Sequence, residues 1–85
     1  MAVYVAWTGA PVPADLVGPW EELRVLSDDL SLLASEEALS RVYHELKWSL
    51  PPDTALFVAP LGDVPKLKGM PPGTLGWLRR RAPRG

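Results

Sequence analysis

Cysteine, asparagine, glutamine and isoleucine are all missing from this 85-residue chain. Without cysteine, neither a disulfide nor a zinc–thiolate site supplements the core. Histidine occurs once, as His44, so the usual histidine-based zinc sets are excluded as well. The missing Asn, Gln and Cys, set beside ten prolines, match the pattern of a thermophile. A GC-rich genome also depletes Ile, and both explanations remain open.

Long apolar stretches are lacking too. No run approaches the ~20 residues of a membrane-spanning helix. The start, Met1-Ala2-Val3-Tyr4-Val5-Ala6-Trp7, has neither the basic residues nor the apolar length of a secretory signal. The expectation is a cytoplasmic protein with no membrane partner. Catalytic signatures are equally scarce. There is no phosphate-binding loop, no Gly-x-Ser-x-Gly elbow and no dinucleotide fingerprint. General-base work by His44 needs an orienting acid and a nucleophile in reach, and the adjacent Glu45 points elsewhere on a helix. Asp28-Asp29 suits a turn better than a magnesium site. No catalytic, cofactor-binding or metal residue is therefore assigned and no cofactor is expected. The reading leans away from an enzyme, with a site shared across a dimer interface as the enzymatic alternative.

What is present is enough for one small domain, since 47 % of the residues are hydrophobic. A chain of this length buries only about 60–65 % of its unfolded surface. Its net stability is expected at ~4–13 kcal/mol. The overall charge of −1 conceals a division. Residues 1–63 hold all ten acidic residues against Arg24, Arg41 and Lys47, a net −7. Residues 64–85 hold Lys66, Lys68, Arg79, Arg80, Arg81 and Arg84 with no acid, a net +6. The chain thus divides into an acidic α+β core, 1–63, and a basic Pro/Gly-rich C-terminal segment, 64–85, packed on the core or on a partner.

Alternating Val3 and Val5 against Tyr4 and Ala6 predict a first strand over residues 2–7. Residues 14–20 have room for at most a turn or two of helix before Gly18-Pro19. Residues 21–34 fit two strands joined at Ser27-Asp28-Asp29, and they also fit a helical stripe of Trp20, Leu23, Leu26, Leu30 and Leu33. The hairpin is preferred, because Ser27, Asp28, Asp29 and Ser31 are poor helix formers in one cluster. A helix is predicted over 36–49, with Ser35 as its N-cap and Pro51-Pro52 as its stop. Its apolar stripe is Leu39, Val42, Tyr43, Leu46 and Leu50. Thr54–Ala59 is continuously apolar and predicts a buried, central strand. Beyond Pro60, prolines and glycines limit regular structure to a short helix from Pro72 to the arginines.

This order specifies a small ferredoxin-like antiparallel sheet of about four strands. It has one main helix, a stunted first helix and an irregular C-terminal tail. A single helix leaves one sheet face bare, to be met by the tail or by a second subunit.

Three stretches carry a resemblance: Leu30-Ser31-Leu32-Leu33-Ala34-Ser35, Arg41-Val42-Tyr43-His44-Glu45-Leu46-Lys47 and Asp53-Thr54-Ala55-Leu56-Phe57-Val58. Together they resemble the second half of small ferredoxin-like proteins of the CRISPR adaptation nuclease and virulence-associated protein D type. The resemblance covers about a third of the chain and implies the fold and homodimerisation. It does not extend to nuclease activity, because Ala6-Trp7-Thr8-Gly9 lacks the aspartate which that family places after its first strand.

The four tryptophans exceed what one small core requires. At ~100° per residue, Trp48 falls on the charged helix face with Glu37, Arg41 and His44. An indole there is covered by the tail, serves as an interface anchor, or turns inward where the helix end frays. The expected function is a non-enzymatic binding or assembly module that self-associates as a homodimer, or binds another protein, through Arg41, His44, Trp48 and Trp77. The alternative is a nucleic-acid-binding accessory protein using Lys66, Lys68, Trp77, Arg79, Arg80 and Arg81, with the indole stacking a base.

Overall fold

The computed structural model describes residues 1–83, so Arg84 lies outside the described residues. The element order is β1 (Ala2–Thr8), β2 (Glu22–Ser27), β3 (Leu30–Ser35), α1 (Leu39–Ser49), β4 (Leu56–Pro60) and α2 (Thr74–Arg81). The strands form one antiparallel sheet in the order β2-β3-β1-β4. This is the ferredoxin-like arrangement with its first helix reduced to turns. Leu16 N–H closes one turn on the Pro13 carbonyl, and the Trp20 indole donates to the Leu16 carbonyl at 3.1 Å. A Cβ at Gly18 would lie 2.2 Å from the Trp20 ring, so only glycine lets this ring fold back here.

The ambiguous stretch 21–34 is a hairpin, β2–β3, in which Ser27 donates to Asp29 Oδ1 at 2.8 Å. The start of α1 differs from the sequence expectation. Ser35 is the last residue of β3 and caps no helix. Its hydroxyl donates to the Pro19 carbonyl and accepts the Glu37 N–H at 2.9 Å, which ties the 9–21 connection to the sheet end. The helix begins three residues beyond the expected start, after Ala38. It ends as expected before Pro51, with Leu50 already extended.

Both sheet faces are covered, by different helices. On one face Tyr4, Ala6 and Leu33 pack on Val42 and Leu46 of α1, with Trp20 and Leu23 at the margin. On the other, Val3, Leu32 and Ala34 pack on Trp77, Leu78 and Ala82 of the C-terminal segment. The face left bare by α1 is thus met by the chain's own tail. Burying Trp77 and Leu78 is worth about 1.5–3 kcal/mol each, a large share of a small domain's stability.

The 54–59 stretch is not central. β1 is the inner strand there, and β4 is an edge strand with Phe57 65 % exposed. Leu56 and Val58 are half-buried on the α1 side, while Phe57 points to the other face at a place α2 does not cover. Pro60, which has no N–H to donate, is compatible with that edge position.

Candidate functional site

The sequence-predicted surface residues do not form one site. Arg41, His44 and Trp48 lie on the outer face of α1, directed away from its buried residues Val42 and Leu46. Trp48 is 70 % exposed, and the tail, which packs on the opposite sheet face, does not cover it. The His44 ring lies 5.7 Å from Trp48 and 5.1 Å from Tyr43, and its Nδ1 is 2.7 Å from the Ser40 carbonyl oxygen. Arg41 sits between Glu37 and Glu45 at 3.6 and 3.8 Å. Trp77 is elsewhere. It is 6 % exposed and belongs to the core beneath α2. Its ring therefore neither joins the α1 patch nor stands free to stack a base.

The basic segment is divided in the same way. Arg81 is engaged internally. Its guanidinium lies 4.6 Å from the Trp77 ring centroid and donates to both carboxylate oxygens of Glu22 and to the Trp77 carbonyl. The Arg81 hydrogen bond holds the Glu22 carboxyl below the usual carboxylate range, and the Glu22 hydrogen bond raises Arg81. Lys66, Lys68, Arg79 and Arg80 are exposed, and none of them makes an ion pair with the described residues. Lys66 and Arg79 line one shallow concavity together with Asp63.

The two sheet edges contrast. β2 carries Glu22 and Arg24 and is irregular between Val25 and Ser27, features that discourage edge-to-edge pairing. β4 reads Leu-Phe-Val-Ala-Pro and has no charge. Its pairing with β1 is bracketed by Gly9 N–H to the Ala55 carbonyl at 2.8 Å and Leu61 N–H to the Val3 carbonyl at 2.9 Å. Residues 55, 57, 59 and 61 therefore face β1, and the N–H and C=O groups of Leu56 and Val58 point outward. Trp7 and Phe57 are directly opposed across β1 and β4, at 44 and 65 % exposure.

Sequence reading missed this aromatic pair, because the register that unites Trp7 with Phe57 is non-local. An aromatic ring at the end of the first predicted strand, Trp7, and one within the last, Phe57, were its visible traces. Among the described residues no cluster of His, Cys, Asp or Glu could hold a metal ion, and no helix is long and apolar enough to cross a membrane. Comparison with protein-family models, curated protein sequences and solved structures returns no match.

Proposed function

We propose that this chain is a non-enzymatic assembly module of the cytoplasm that pairs with a second copy of itself through the β4 edge. The observation that carries the reading is the uncharged edge flanked by the exposed Trp7–Phe57 pair. A twofold axis at Phe57 is self-complementary. Leu56 of each copy meets Val58 of the other, and each such pair exchanges two backbone hydrogen bonds. Phe57 then faces Phe57 of the second copy in the close, non-hydrogen-bonded position, with Cα atoms about 4.5 Å apart. The sheet becomes eight-stranded, with a row of rings running Trp7, Phe57, Phe57, Trp7 across the junction. Pro60 ends the pairing. The homodimerisation implied by the ferredoxin-like resemblance agrees with this reading.

The Arg41–His44–Trp48 face remains outside the junction and serves a further protein partner in this reading. Nucleic-acid binding by the C-terminal segment is less well supported, because Trp77 and Arg81 are occupied by the fold. Amide hydrogen exchange tests the pairing directly. Leu56 and Val58 amides are expected to gain protection as concentration rises through the micromolar range. Fast exchange of both at every concentration would contradict it.

A further inference from the structure

We propose that the cleft between the sheet and residues 61–70 binds a single-chain aliphatic carboxylate. The cleft has a volume of about 310 Å³ and reaches Leu78 of α2. This is at the lower end of the size range of small-ligand sites. Val5, Leu30 and Leu32 form its floor, and Leu61, Leu67 and Met70 its loop side. Lys66 and Lys68 also line it, and they are the only polar side chains among the described residues that do so. Neither has an ion-pair partner among those residues, and both are exposed. Asp63 does not line this cleft. It lines an adjoining concavity together with Lys66.

The charge pattern selects the occupant. Apolar walls hold an alkyl chain, because removing it from water is favourable in proportion to its area. Two flexible ammonium groups at the same cleft, with no carboxylate of the described residues lining it, complement one anionic head. A neutral apolar ligand leaves the lysines without a role, and a compact polyanion leaves the leucine walls without one. This assignment is separate from the self-association proposed above. The cleft is built from one copy and uses neither Leu56 nor Phe57.

The test is isothermal titration of the full chain with decanoate below its micelle concentration, beside decanol and decyl sulfate. Saturable one-to-one decanoate binding is expected, with decyl sulfate comparable, because ammonium groups read charge more than shape. Affinity should rise about fourfold per added methylene until the chain fills the cleft, then level off. The double variant Lys66→Glu/Lys68→Glu should lose about tenfold for both anions and leave decanol unchanged. Met70→Trp, at an exposed rim position, should block all three. Equal binding of decanol and decanoate, no plateau with chain length, or indifference to both variants would overturn the proposal. So would binding to anionic vesicles without binding to decanoate, which would mark a membrane-docking surface. Repeating the titration with Phe57→Glu separates the two proposals. Decanoate affinity should survive in that variant, and its loss would assign the cleft to the junction between copies.

Discussion

Arg81 and Glu22 stand 59 residues apart in sequence and meet as a two-pronged ion pair that clasps α2 to the outer strand β2. The fork geometry explains why arginine occupies this position, since one guanidinium also serves the Trp77 carbonyl and covers its ring. Glu22→Gln should lower the urea midpoint, and Arg81→Lys should lower it nearly as much. The sign with pH is fixed by the depressed Glu22 carboxyl. Its contribution is present above the ordinary glutamate value of about 4.3 and is lost as pH falls through the lower folded value. Wild type and Glu22→Gln should therefore differ at pH 7 and converge in acid. A constant difference down to pH 2 would contradict the clasp.

Leu78 is fully buried between α2 and the sheet. Leu78→Ala should cost about 2–5 kcal/mol. Against a total of ~4–13 kcal/mol this leaves little margin. Removing residues 64–85 should unfold the protein outright, because Val3, Leu32 and Ala34 lose their cover together. A cooperative thermal transition in the truncated protein would show that the basic segment is dispensable for folding.

Gly73 precedes α2 with a φ of +86°, the left-handed region that side chains resist. A Cβ there would also stand 3.1 Å from the Arg24 guanidinium, which holds the Pro72 carbonyl at 2.9 Å. Gly73→Ala should destabilise by about 1–2 kcal/mol in chemical denaturation. Gly62→Ala, with open space around the added methyl, should be neutral or slightly stabilising.

The hydroxyl of Thr8 is buried and has no hydrogen-bond partner among the described residues. Replacing it by a methyl group of similar shape removes a buried, unpaired polar atom. Thr8→Val should hold or raise the thermal midpoint, by the equivalent of up to about 1 kcal/mol. A marked loss of stability would mean that the hydroxyl is paired after all.

The parts of the fold legible in the sequence were those governed by neighbouring residues. The Ser27–Asp29 turn separated the hairpin from a helix. Pro51 stopped α1, and helical spacing placed Val42 and Leu46 inside and Trp48 outside. What depended on distant partners was not legible. An apolar run cannot report whether a strand has one neighbour or two, so β4 read as central although it forms an edge. Ser35 has the chemistry of a cap but is used by the strand end and Pro19. Trp77 and Trp48 both neighbour basic residues in sequence. Only the tail's placement across the sheet decides that one is core and the other surface.

Edge pairing through Phe57 is the claim on which the functional reading turns, and sedimentation equilibrium of wild type beside Phe57→Glu measures it most directly. The substitution lies at an exposed position and should cost no more than about 1 kcal/mol, chiefly the cross-strand contact with Trp7, so a change in mass is not an unfolding artefact. The wild-type chain should approach twice its 9.3 kDa monomer mass at micromolar concentration, and the variant should remain at the monomer mass. A wild-type chain that stays monomeric throughout, or a variant that dimerises as well as wild type, would contradict the account.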